Sequence, residues 1–268
     1  MSNVLTMTGP GASFSQLNMP GHRVLAQLGK RVLRPGGMEL TRRMLAALTI
    51  VSADDVVEFA PGLGLTAQLA LKRRPASYTA IERDPTAAGM VSSYLKDATQ
   101  KCVRGNAEQT GLPSEVATVV YGEAMLTMQT SDMKRGIVRE ARRLLKRGGR
   151  YAIHEMCLVV DDLDEGGKKE INKALSRAIH VEVRPLSISE WRGLMESEGF
   201  EVEVEARAPM HLLEPSRLLS DEGVKGTLRF VWNIMRDRES RERVLIMRKV
   251  FRRYQSNLAA VMMICVKR

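Results

Sequence analysis

The chain is poor in the residues that staple a protein or anchor it in a bilayer. Its three cysteines, Cys102, Cys157 and Cys265, are odd in number, far apart and without a Cys-x-x-Cys pair. That excludes a disulfide framework and a cysteine zinc site, and it fits a reducing compartment. No stretch approaches the roughly 18 consecutive apolar residues of a spanning helix. The first 20 residues are polar and rich in Gly, Ser and Thr, and they lack the apolar run of a signal peptide. A soluble, cytoplasmic protein is therefore expected. There is no internal repeat and no low-complexity tract.

What the chain does have is positive charge, unevenly placed. The net charge is +10 over 268 residues. Residues 1–49 hold 6 Lys and Arg against 1 acidic residue, and residues 215–268 hold 13 against 5, whereas the middle is slightly acidic. A basic surface of this kind attracts nucleic acid, anionic lipid or an acidic small molecule, or it serves as a solvated face. Length and composition fit one α/β domain with additions.

Residues 1–20 read as disordered or lid-like. Helices are expected near 22–33 and 38–49, separated by Pro35-Gly36-Gly37. From residue 54 strands and helices alternate. Strands are expected at 56–59, 78–81, 101–104, 116–121 and 151–159, with helices at 65–73, 85–97 and 131–146, the last closed by Gly148-Gly149. This alternation implies parallel βαβ units. Ser187-Ile188-Ser189-Glu190 reads as a capping box for a helix ending at Gly199. Residues 201–208 and 259–266 read as strands. Between them, 215–257 reads as two basic amphipathic helices. Leu228, Val231, Trp232 and Met235 share one apolar face, and Val244, Met247, Phe251 and Tyr254 share another.

The segment with chemical meaning runs from Val56 to Ala67. Small residues at Ala60, Gly62 and Gly64 let backbone approach a ligand, and the following helix aims its free N–H groups at it. Gly62-x-Gly64-x-x-Ala67 alone also satisfies a dinucleotide fingerprint. Glu58, before the glycines, would repel a pyrophosphate and suits a cationic amino group. Glu82, followed by Arg83, ends the second strand, where a carboxylate can accept from ribose hydroxyls. After the third strand, Asn106 could bond an adenine amino group and Ala107 could offer a backbone N–H.

Taken in order, these segments resemble the class I S-adenosylmethionine-dependent methyltransferases, in particular the ubiquinone/menaquinone C-methyltransferase-like group. Glu58-x-Ala60-x-Gly62-x-Gly64 is similar to that family's acidic-x-Gly-x-Gly-x-Gly motif. Glu82 matches its ribose ligand, Gly105-Asn106-Ala107 its Gly-Asp-Ala motif, and Arg143-Leu144-Leu145-Lys146-Arg147-Gly148-Gly149 its helix-end motif. Ala60, Asn106 and Arg147 depart from the pattern. The resemblance spans roughly 36–208 and the last strand. It implies a Rossmann-like, doubly wound α/β fold, a seven-stranded sheet of order 3-2-1-4-5-7-6. The expected parts are an N-terminal lid and helical cap at 1–50, a core of 51–208 plus 258–268, and a helical insertion at 209–257.

The resemblance further implies S-adenosyl-L-methionine as cofactor and direct methyl transfer to an acceptor. The cofactor residues it implies are Glu58, Ala60, Gly62, Gly64, Glu82, Arg83, Asn106, Ala107 and Glu123. His154 on the fifth strand is the candidate general base, or else a strand histidine satisfied by packing. Glu123 faces the methionine part or the acceptor, or stands as a loop carboxylate in water. His180 and Arg184 line an acceptor pocket or lie on a solvated face. Tyr121-Gly122-Glu123-Ala124 lacks the Asn/Asp-Pro-Pro-Tyr/Phe motif of many nucleic-acid and protein amine methyltransferases, and no Pro-Cys motif for cytosine C5 chemistry is present. A small-molecule acceptor is expected rather than nucleic acid, and no metal: the acidic run Asp161, Asp162, Asp164, Glu165 reads as a solvated loop. The insertion is expected to pack its apolar stripe on the core and shape the pocket, with a dimer contact or an anionic membrane contact as alternatives. Two other readings stay open, an NAD-dependent oxidoreductase and a non-enzymatic basic binding module with a structural cofactor.

Overall fold

Val56, Val57 and Phe59 stand on a strand buried on both faces, as a central parallel strand requires. In the computed structural model, which describes residues 19–159 and 163–268, this strand, β1 (Asp55–Phe59), is hydrogen-bonded to β2 (Ser77–Glu82) and β4 (Ala117–Glu123). Beyond them lie β3 (Gln100–Arg104) and β5 (Leu145–Leu158). A two-residue β6 (Leu186–Ser187) touches the end of β5. β7 (Phe200–Pro209) and β8 (Leu258–Lys267) complete the sheet in the order β3-β2-β1-β4-β5-β8-β7. The first five strands are parallel, and β8 runs antiparallel between β5 and β7. With the short β6 set aside, this is the expected seven-stranded order.

Helices cover both faces. On one, α5 (Ser131–Leu144) and α7 (Ile188–Ser197) bury Ile137, Val138, Ala141, Ile188, Trp191 and Met195. On the other, α2 (Gly37–Leu48), α3 (Leu65–Leu71) and α4 (Pro85–Ser92) bury Leu40, Met44, Leu48, Ala67 and Val91. A third cluster, from α1 (Gly21–Gln27), α6 (Glu165–Ile179), α8 (Pro215–Arg236) and α9 (Arg238–Arg253), gathers on Met156 and Leu158 at the carboxyl end of β5.

The expected capping box of α7 is present, with Ser187 and Glu190 exchanging hydrogen bonds. Other boundaries move for local reasons. α1 stops at Gln27, not 33, because Gly29 adopts φ +95°; the chain from there to Gly36 runs as a strap that is neither helix nor strand and ends in a turn closed by Gly37 N on Arg34 O. α4 ends at Ser92 rather than 97. Gly148-Gly149 does not close α5. It sits inside β5, where the pairing with β4 slips and Gly148 takes φ +76°, a bulge that glycine accommodates. α6 was not expected. Asp164 of the acidic run is its N-cap and accepts from Gly167 N. Asp161 and Asp162, like residues 1–18, lie outside the described residues. Among the described residues no group of His, Cys, Asp or Glu is placed to hold a metal ion, and no helix is long and apolar enough to cross a membrane.

The two insertion helices lie between β7 and β8, and α8 bends at Gly223. Val244, Met247, Phe251 and Tyr254 are buried as expected. The other stripe is not: Leu228, Val231, Trp232 and Met235 are exposed, and Phe230 is the buried residue of that stretch. The helix has two apolar sides, and it is the Phe230 side that turns to the core.

Candidate active site

The turn after β1 is built from left-handed backbone. Ala60, Gly62 and Gly64 have φ of +49°, +56° and +69°. At Gly64 a Cβ would stand 2.6 Å from the Tyr94 ring, so glycine is required by packing. At Gly62 a Cβ would meet nothing within 4 Å, so the loop faces open space there. Ala60 holds the same left-handed conformation without being glycine, a strain of roughly 1 kcal/mol. Its N–H is tied to Ile81 O at 2.8 Å. Glu82 grips the loop from β2: its carboxylate accepts from Gly62 N at 3.0 Å and from Asp84 N at 2.9 Å. Ala107 is buried, whereas Arg83 and Asn106 are exposed, and the Asn106 amide turns to Glu108. The parallel strands thus bring Glu58, Ala60, Gly62, Gly64, Glu82 and the 105–107 turn to one edge, at the carboxyl ends of β1, β2 and β3.

Glu58 is buried beneath this loop. One of its oxygens accepts from Tyr78 Oη at 2.5 Å and Tyr121 Oη at 2.7 Å. Burial raises its carboxyl, the two tyrosines lower it and neighbouring Glu123 raises it again, so it titrates at about 7.

Glu123, the last residue of β4, is a hub. It lies in register with His154 on β5. Its two oxygens receive four side-chain donors: Arg34 Nη1 at 2.8 Å, Thr66 Oγ1 at 2.5 Å, Thr41 Oγ1 at 2.6 Å and His154 Nδ1 at 2.7 Å. Burial would raise this carboxyl, but the Arg34 charge and the bonds from His154 and Thr41 outweigh it and hold it at about 2. His154 is fully buried. Its Nε2 meets the carbonyl of Pro35 at 2.6 Å, an acceptor only, so that nitrogen carries hydrogen. Nδ1 faces an ionised carboxylate. Both ring nitrogens are thus engaged by acceptors of the protein itself.

Arg34 and Thr41 were not found from sequence. Arg34-Pro35-Gly36-Gly37 reads as a helix break, and nothing local signals that it returns to β4, 89 residues away. The arginine is mostly buried, and its Nε and Nη2 lack a hydrogen-bond partner among the described residues. Glu155 was missed too. Wholly buried, it accepts from the backbone N–H groups of Met125, Leu126 and Thr127 and fixes the turn after β4. His180 caps α6 in an exposed, left-handed conformation. Arg184 gives its carbonyl to buried Lys134 and pairs with Glu182.

The strap that carries Arg34 is held from outside by α8. Glu222 Oε1 accepts from Arg31 N and Val32 N, at 2.8 and 2.9 Å, and Asp221 Oδ1 accepts from Met38 N at 2.9 Å. Lys30 is wholly buried between these two carboxylates, 3.7 and 3.9 Å away. Farther along, Asn233 and Arg229 donate to the carbonyls of Leu28 and Gly29.

Residues 57–153 match a family model described as a methyltransferase domain. An uncharacterized protein of Haemophilus influenzae is 32% identical over 235 residues, covering 86% of this chain and 91% of that protein. Solved structures with the same fold include the MccD protein (TM-score 0.70, 18% identity, 88% of this chain and 99% of that one). The [4+2]-cyclase SpnF is another (TM-score 0.67, 13% identity, 91% of each). A third is phosphoethanolamine N-methyltransferase 2 of Haemonchus contortus, solved with phosphomonomethylethanolamine and S-adenosylhomocysteine (TM-score 0.69, 13% identity, 92% of this chain and 57% of that one).

Proposed function

As the chain belongs to the class I S-adenosylmethionine-dependent methyltransferases, in the ubiquinone/menaquinone C-methyltransferase-like group, we propose that its acceptor is a small molecule, methylated at the carboxyl ends of β1, β4 and β5. The observation that carries the cofactor assignment to particular residues is Arg34. Two of its buried nitrogens, Nε and Nη2, have no hydrogen-bond partner among the described residues, and the nearby loop is open at Gly62. An α-carboxylate satisfies such donors, and bidentate pairing is what guanidinium favours. The residues present fit an amino-acid nucleoside: Arg34 for the carboxylate, Glu58 for the ammonium, Glu82 for the ribose hydroxyls, and Asn106 with the Ala107 N–H for the adenine.

When bound, the cofactor supplies a methyl group on a sulfonium, already activated for in-line displacement. The chain has then to bind, align and exclude water, and alignment alone can supply much of a rate enhancement. Glu123 presents Arg34 in one orientation. We assign His154 to positioning: it joins Glu123 to the Pro35 carbonyl and so seats the strap. A general base, where the acceptor has a proton to lose, has to come from elsewhere or from the acceptor itself. The cap of α1, α6, α8 and α9 over the end of β5 favours an enclosed, small acceptor.

The test has two arms. S-adenosylhomocysteine is expected to raise the melting temperature and NAD to leave it unchanged. A small-molecule acceptor library with isotopically labelled methyl donor, read by mass spectrometry, is expected to yield a labelled product. Stabilisation by NAD alone would remove the cofactor assignment. Methylation confined to protein or nucleic acid would remove the acceptor class.

A further inference from the structure

Among the described residues, only one of the two apolar sides of α8 is covered. The inner side lies along the strap. The outer side of 224–236 presents Val224, Leu228, Val231, Trp232 and Met235, which are 43–64% exposed. Exposed apolar residues scattered singly are ordinary, but five on one side of about three turns form a patch that marks an interaction surface. The charge on this stretch has one sign. Residues 224–236 contain Lys225, Arg229 and Arg236 and no Asp or Glu. At 100° per residue these three fall together along one flank of the stripe. The Arg236 guanidinium lies 5.7 Å from the centre of the Trp232 ring. Leu245 and Ile246 on α9 are exposed as well.

We propose that the outer face of α8 docks on an anionic lipid bilayer. The apolar side chains and the Trp232 ring would enter the interface, while Lys225 and Arg236 meet lipid phosphates. The helix would lie in the membrane plane, as its one-sided pattern and its covered inner side require. Charge complementarity selects this occupant. A second copy of this face offers the cations no carboxylate, because residues 224–236 contain no Asp or Glu. A nucleic-acid duplex would satisfy the guanidinium groups and leave the stripe in water. The proposal is independent of the cofactor assignment.

The chain has two tryptophans, Trp191 fully buried and Trp232 largely exposed, so a change in emission on docking reports Trp232. The full-length protein is mixed with vesicles of phosphatidylcholine alone, or of phosphatidylcholine with about one third phosphatidylglycerol. Anionic vesicles are expected to shift the emission to the blue and carry the protein into the pellet; neutral vesicles are expected to do neither. Leu228→Gln combined with Met235→Gln keeps the charge and is expected to weaken partitioning at least tenfold, with an unchanged melting temperature. Trp232→Phe is expected to sediment with anionic vesicles and lose the spectral shift. Absence of binding to anionic vesicles overturns the proposal. So does binding that the glutamine pair leaves intact, which would make it adsorption by charge alone. A lipid-free dimer that the glutamine pair dissociates would assign the face to a second copy instead.

Discussion

Arg34 and Glu123 meet at 2.8 Å across 89 residues of chain, and the contact joins the N-terminal strap to the end of the fourth strand. Both side chains are largely withdrawn from water. A carboxylate held at about 2 in the folded protein and near 4.5 otherwise contributes stability that is complete above pH 4.5 and is lost as pH falls toward 2. For Glu123 that amounts to about 3 kcal/mol, and removing its charge partner leaves the cost of burying the carboxylate uncompensated.

Arg34→Gln is therefore expected to lower stability by about 3 kcal/mol and to weaken S-adenosylhomocysteine binding at least tenfold. Methylthioadenosine, which lacks the amino-acid end, is expected to bind both forms alike. Calorimetric titration of the two ligands decides it, and equal losses for both would take Arg34 away from the carboxylate.

Glu58 has the opposite pH dependence. Its folded carboxyl titrates at about 7, so between pH 4.5 and 7 the folded state holds more protons than the unfolded state and stability falls as pH rises. The penalty at pH 8 is on the order of 3 kcal/mol. Glu58→Gln keeps an acceptor oxygen for Tyr78 and Tyr121 and carries no charge. It is expected to melt higher than the parent at pH 8 and alike at pH 5, while losing affinity for S-adenosylhomocysteine at pH 8. A melting difference that does not change with pH would refute the buried-charge account.

Gly62→Val places a β-branched residue at φ +56°, a strain of about 1–2 kcal/mol, in a position with no neighbouring atoms to clash. The protein is expected to fold, with a circular dichroism spectrum like the parent's, and to lose cofactor binding. Unchanged affinity would show that the loop does not line the site.

Glu222 holds the strap by two backbone bonds and faces buried Lys30. Glu222→Gln is expected to cost about 2–4 kcal/mol by leaving the ammonium with Asp221 alone. Adding Lys30→Met to that variant is expected to recover at least half of the loss in urea denaturation. No recovery would mean that the backbone bonds, not the charge, carry the interaction.

The parts legible in the sequence were those whose signal is local. β1 and β4 announce themselves as short apolar runs, the glycine turn by composition, and α7 by its reciprocal cap. α6 hid behind Asp164-Glu165-Gly166-Gly167, where two glycines in the first turn argue against a helix although the aspartate caps it. The four donors on Glu123 come from the strap, α2, α3 and β5, so no spacing rule links them. Periodicity identified the Leu228 stripe as apolar, but a helix with two apolar sides does not say which one is covered. The same limit leaves His154 open in the sequence as base or packed histidine, because its two ring partners come from β4 and from the strap.

The position of β8 bears on how the chain reaches its native state. It pairs along nine positions with β5 and nine with β7, and it lies between them rather than at the rim. During ribosomal synthesis the half-sheet therefore stays open until the whole of 209–257 has been made, and the edge of β5 from Arg150 to Leu158, which pairs with β8, waits unpaired. Such an edge recruits foreign strands. The insertion thus lengthens the interval in which that edge lacks its partner, and shortening it is expected to hasten closure of the sheet.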